Sequence, residues 1–347
     1  MRKYPLLGLA LLGLTVAIAP AFAAITYDCD TTSFATYAPA GTCGALNGST
    51  VSGIYSSIFS NINATIFIQF GNTGVGSSSV NITPITYAQY YAALASHTDD
   101  PGALGTLSSS SDPLVPYGNT NENIDITAAL ASSLGITVNG ANTAGVEADG
   151  MTSCTLGTSG CYNGVITIST VTSFYFPTVD TDPPQGPSQV DFFYVVEHES
   201  DEILGTVSCI STDTNNDTPE DGCNPGSTDA SPADLFRYSA TAGTRSFLTT
   251  DNGSAAYFSN DGGVTDIAQY NNSPDAEDYG DWLNGSHYEV QDAGAAPAST
   301  LDISTDGGSE VAVLDAVGFN LVAPEPSTFV LLGASLAALA LIRRARG

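Results

Sequence analysis

Apolar and polar positions alternate most clearly over residues 62–70, INATIFIQF, where β-branched and aromatic residues recur at every second place and predict a strand. Residues 164–176, GVITISTVTSFYF, predict another strand, and residues 125–134 a helix. Residues 189–204 follow the Pro-rich stretch TDPPQGPSQ and contain neither Pro nor Gly beyond it. Phe192, Val196 and Ile203 fall at offsets of four and seven, so the stretch reads as a helix closed by Gly205. Downstream, a hairpin is expected around Asp261-Gly262-Gly263 and a short helix over SEVAVLDAVG. No internal repeat is visible. The pattern predicts one α+β domain.

The two ends differ from this middle. Residues 1–23 run from Arg2-Lys3 through an apolar stretch to Ala21-Phe22-Ala23, the order of a secretory signal peptide, so the exported domain is expected to begin near Ala24. Pro324-Glu325-Pro326-Ser327-Thr328 precedes an apolar run, residues 329–342, and the basic cluster Arg343, Arg344 and Arg346. That run is shorter than the roughly 20 residues of a stable spanning helix. The three-part tail resembles the PEP-CTERM sorting signal of exopolysaccharide-producing Gram-negative bacteria. The resemblance implies export across the inner membrane, processing by an exosortase-type partner, and a final place at the cell surface, in the extracellular matrix or in the medium. The organisation read here is a signal peptide over 1–23, a domain over 24–322 and a sorting signal over 323–347.

Charge narrows the partners. The chain has 7 basic and 36 acidic residues, and between the two signals the only basic ones are Arg237 and Arg245, against every acid except Glu325. Such a domain has no basic surface with which to neutralise phosphates, which excludes nucleic acid as a partner. Its self-repulsion favours bound cations, calcium among them. All 6 cysteines lie in the exported part. Six cysteines allow 15 connectivities. The local pairs Cys29–Cys43, Cys154–Cys161 and Cys209–Cys223 are the expected ones, since a closed loop of about 15 residues contributes about 3 kcal/mol.

The stretch VVEHESDEILG carries the chemistry. On a helix His198 and Glu202 stack four residues apart on one face, the spacing with which two histidines grip zinc in H-E-x-x-H, and Glu199 lies beside them, placed to take a proton from water that the metal activates. Imidazole and carboxylate are both ordinary zinc ligands.

Beyond Glu202, Gly205 and Ser208 stand where the metzincin helix H-E-x-x-H-x-x-G-x-x-H has its glycine and third histidine. DLFRYS, residues 234–239, is similar to the metzincin Met-turn, with Phe236 for the methionine and Tyr238 for a zinc-ligating tyrosine. EHESDEILG, SPADLFRYSA, AAYFSNDGG, DYGDW, VQDA and VLDAVGFN together, over residues 190–320, resemble a PEP-CTERM-linked metalloprotease family. The resemblance implies a metzincin-like domain with a mixed twisted sheet, an active-site helix and long disulfide-clamped loops. It also implies a zinc endopeptidase acting on protein or peptide, with Glu199 as base, His198 and Glu202 as ligands, and Tyr238 or Ser208 completing the set.

STDTNNDTPEDGCNPGSTD spaces Asp213, Asn215, Asp217 and Asp221 as oxygen ligands do in calcium loops. His97 and His287 read as loop residues, with His287 the better candidate ligand; Asp278, Asp281 and Trp282 read as residues able to line a cleft. Beside the peptidase stands a non-catalytic alternative, a calcium-stabilised surface or biofilm-matrix protein on the same scaffold.

Overall fold

The computed structural model describes residues 24–109, 123–177, 185–209, 223, 229–239, 243–246, 256–271, 279–283, 289–294 and 301–322. Both terminal signals lie outside the described residues, as do Asp213, Asn215, Asp217, Asp221, Asp278 and His287. Among the described residues no helix is long and apolar enough to cross a membrane.

Strands β1 (Ala24–Cys29), β2 (Asn63–Gly71), β3 (Gly76–Val80) and β4 (Gly164–Ser169) form a mixed sheet in the spatial order β1-β2-β4-β3. β1 and β4 run parallel to β2, while β3 runs antiparallel to β4, with Gly164 opposite Val80 and Ile168 opposite Gly76. β2 shows why the alternation was readable. Ala64, Ile66, Ile68 and Phe70 are buried on one face, and the residues between them are more exposed. β4 is covered on both faces and reads as a nearly continuous apolar run.

Helices α1 (Ser52–Ile58), α2 (Tyr87–His97), α3 (Ala128–Ser133), α4 (Phe192–Asp201) and α5 (Ser309–Val317) pack with the sheet around one main core. α4 begins at Asp191, whose carboxylate accepts from the backbone N–H groups of Phe193 and Tyr194, at 2.8 and 3.4 Å, and so caps it. Because α4 is buried nearly all round, its polar side chains need partners on every side. On the face away from the metal-type residues, Tyr55 of α1 donates to Asp201 Oδ1 at 2.5 Å, Tyr27 of β1 hydrogen-bonds the Ser200 hydroxyl at 2.8 Å, and Ile303 N–H donates to Glu197 Oε2 at 3.0 Å.

Three readings of the sequence are corrected. Residues 125–134 are not one helix: Asn123–Thr127 is a strand paired with Ile82–Thr86, and α3 starts only after Thr127, whose hydroxyl caps it by accepting from Leu130 N–H. The strand expected over 164–176 stops at Ser169, whose hydroxyl accepts from Val171 and Thr172 N–H and turns the chain; Phe174–Tyr175 then pairs with Val190–Asp191. The helix expected over 189–204 is α-helical only from Phe192 to Asp201. A wider π turn follows over Glu202–Thr206, ended by Gly205 at φ +139°, a conformation that side chains with a Cβ rarely adopt.

The cysteines join as local pairs: Cys29–Cys43, Cys154–Cys161 and Cys209–Cys223, with Cα–Cα distances of 6.1, 5.7 and 5.6 Å. The last bridge begins just beyond the π turn. Tyr257–Phe258 and Ala268–Gln269 make the hairpin around Asp261, which accepts from Ser259, Val264 and Thr265, and Arg237–Tyr238 adds a third strand to it.

Candidate metal centre

α4 and the turn after it bring His198 Nε2 within 3.4 Å of Glu202 Oε1, and a distant loop brings Asp281 Oδ1 to the same nitrogen, also at 3.4 Å. One donor atom from each of the three residues lies within 4.8 Å of the other two. The i, i+4 spacing explains the first pair; the π turn starts at Glu202 and leaves that pairing intact.

A second layer fixes the imidazole. His198 Nδ1 lies 2.8 Å from the Val290 carbonyl, which can only accept, so Nδ1 carries a proton and Nε2 is the nitrogen turned to the cluster. Gln291, next in the chain, donates from Nε2 to Asp281 Oδ1 at 2.9 Å, and its Oε1 accepts from Thr206 at 3.3 Å. Residues 290 and 291 thus hold both His198 and Asp281. They are held in turn by Glu310 of α5, whose Oε1 accepts from Gln291 N–H at 2.8 Å and from the Trp282 indole N–H at 2.9 Å.

The cluster is strongly negative and largely buried. Burial pushes Glu199 well above the usual carboxylate range, and the Glu202 charge adds to this against the opposing effect of His198. Burial likewise raises Asp281 to about 7, opposed by His198 and reinforced by Glu202. Burial alone disfavours a charged imidazole, but Asp281, Glu202 and Glu199 together outweigh it and hold His198 well above its ordinary value. No lysine or arginine is among the residues lining this cavity. An imidazole nitrogen, which gives up its proton when a metal binds, and two carboxylates converge here without a lysine or arginine, a donor set suited to a divalent metal, so the residues present fit one. His198, Glu202 and Asp281 are the residues that would hold it.

The cavity is about 700 Å³ in volume and is walled on one side by residues 73–80, including all of β3. β3 pairs only with β4 among the described residues, so its other edge is open toward α4. The opposite edge of the sheet is closed. Asn47 bonds both the N–H and the carbonyl of Tyr27, at 2.8 and 2.9 Å, and Ser52 donates to the Ile25 carbonyl at 2.6 Å. Glu199 approaches β3 at Gly76, where any side chain would collide with the Glu199 carboxylate and with Val195.

Of the residues singled out from the sequence, His198, Glu199 and Glu202 share this cavity, whereas Ser208 and Tyr238 are placed elsewhere. Ser208 is buried, and its hydroxyl donates to Asp234 Oδ1 at 2.6 Å while Cys209 N–H donates to Asp234 Oδ2, so this segment is anchored away from the cluster. Tyr238 pairs with Tyr257 across the small sheet and its ring packs on Gly263; it does not line the cavity. Asp281 takes the third place. His97 sits at the end of α2, with Nδ1 2.9 Å from the Ala93 carbonyl, remote from the cluster in its bonding. The chain matches no family model, no curated protein and no solved structure.

Proposed function

We propose that the chain is an exported zinc-dependent endopeptidase, sorted by its PEP-CTERM tail, with His198, Glu202 and Asp281 as metal ligands and Glu199 as general base. The observation that carries this reading is the convergence of those four side chains in a cavity walled by an open strand edge. A bound zinc supplies Lewis acidity toward water and toward a polarised carbonyl. Glu199 takes the proton released there and passes it to the leaving amine; burial beside Glu202 raises its carboxyl toward the range in which such transfer is efficient. The edge of β3 that pairs with no strand among the described residues offers an extended peptide a strand to pair with, which supports a protein substrate over a compact one.

The calcium-stabilised, non-catalytic reading fits this centre less well, because calcium takes oxygen ligands and the cluster is built on the His198 nitrogen. Metal analysis of the purified exported protein, with protein hydrolysis measured with and without chelator, separates the two. Zinc with chelator-sensitive hydrolysis, abolished in Glu199→Gln while zinc is retained, is the expected result. Calcium without hydrolysis would overturn the proposal.

A further inference from the structure

One acid in the cavity has no part in the cluster. Asp292 lines the same cavity, is 2% exposed, and its Oδ2 has no hydrogen-bond partner among the described residues. It is tied to the centre through the backbone, pairing with Trp282 in an isolated bridge next to Asp281. Burial raises its carboxyl to about 7; the charges of Glu289 and Asp281 act in the same direction, while a Glu289 backbone hydrogen bond and the charge of His198 oppose them, a charge that His198 gives up when its Nε2 binds a metal. A buried carboxylate oxygen left unpartnered is costly unless the acid is protonated, and a charged hydrogen-bond donor is the partner that stabilises its ionised form most.

The protein has little with which to supply that cation. Between residues 24 and 322 the only arginines are Arg237 and Arg245, and there is no lysine. Arg237 donates to the Tyr279 carbonyl at 2.8 Å with its guanidinium 4.0 Å from the centre of the Tyr270 ring, and Arg245 donates to the Thr106 carbonyl at 2.7 Å. A divalent ion held by Glu202 and Asp281 balances those two charges and leaves Asp292 unanswered. The counter-charge is therefore best brought by the substrate.

We propose that Asp292 anchors a subsite for a positively charged substrate group, a lysine or arginine side chain close to the scissile bond, so that the cleft selects basic peptides. This rests on the peptidase reading above and adds the substrate class to it. A desolvated charge-assisted hydrogen bond is consistent with a preference of about 10-fold or more over an uncharged side chain of equal length.

The test uses peptides differing at one position, lysine, norleucine or glutamate, with the zinc-loaded parent and Asp292→Asn. Hydrolysis is measured at about 0.05 and 0.5 M salt, since screening removes the general pull of the acidic surface but acts less on a buried contact. The expected result is a lysine-over-norleucine preference in kcat/KM that persists at high salt and falls to about one in Asp292→Asn. A preference that vanishes at high salt, or one unchanged in Asp292→Asn, would overturn the subsite. Loss of zinc from Asp292→Asn would also overturn it, by making Asp292 part of the metal site. Binding of the same peptides to zinc-loaded Glu199→Gln needs no Asp292 variant and no turnover: tighter binding of lysine at high salt supports the subsite, and equal binding overturns it. If the parent cleaves none of the peptides, the peptidase reading fails, and this binding comparison still decides the subsite.

Discussion

The Trp282 indole donates to Glu310 Oε1 at 2.9 Å, on the same oxygen that accepts the Gln291 backbone N–H. Trp282 adjoins Asp281, and Gln291 bonds Asp281 and follows the carbonyl that holds His198, so one buried carboxylate on α5 sets the spacing of two metal-type residues. Truncation, Glu310→Ala, is expected to weaken zinc affinity by about 10- to 100-fold, as loss of an outer partner does in other metal sites. Glu310→Gln keeps an acceptor oxygen and should recover most of it. Trp282 is the single tryptophan of the chain, so its fluorescence reports the same titration directly. Equal zinc affinity in Glu310→Ala and the parent would remove this role.

Gly76 gives a separate handle on the base. Adding one methyl in Gly76→Ala forces the Glu199 carboxylate or the β3 backbone to move, the nearest atoms belonging to Glu199 and Val195 and not to a metal-type residue. Hydrolysis should fall by about 100-fold, the scale for a displacement of about 1 Å in a catalytic group. Zinc stoichiometry, measured in parallel, should stay at the parental value. Parental hydrolysis in this variant would mean that Glu199 is not positioned by β3.

Acidity should act on the metal-free fold in one direction. Asp281 and Asp292 are held up to about 7 and Asp191 up to about 6, burial being the main cause in each. Their unfolded value is near 3.9. A raised acid binds more protons folded than unfolded, so its contribution is full below about pH 4 and is lost as pH rises through about 6 to 7. His198, raised above its own unfolded value, likewise loses its contribution as pH rises through its folded value. The melting temperature of chelated protein should therefore fall between about pH 5 and 8. Zinc-saturated protein should fall less, since the metal takes the place of the protons. Parallel slopes with and without zinc would contradict this.

The trio was legible because its information is local: His198 and Glu199 lie in the last turn of α4 and Glu202 opens the π turn that continues it, where spacing alone sets geometry. Asp281 was visible only as a residue able to line a cleft, because its partnership depends on a loop returning from far along the chain. Ser208 was drawn in by its offset from Glu202, but Asp234 offers its hydroxyl a nearer and charged acceptor. β3 gave no signal at all. GSSSV has neither alternation nor an apolar face, being a half-buried edge strand. The boundary at Thr127 was missed for another reason: NIDIT and AALASS are both apolar enough to continue one pattern, and only the hydroxyl cap separates strand from helix.

Whether His198, Glu202 and Asp281 hold one zinc is decided by equilibrium zinc titration of Asp281→Asn beside Ser208→Ala. About one zinc per chain is expected in the parent and in Ser208→Ala, with affinity lowered by about 100-fold or more in Asp281→Asn, where a charged ligand is replaced by a neutral one. Parental zinc binding in Asp281→Asn, together with its loss in Ser208→Ala, would contradict it.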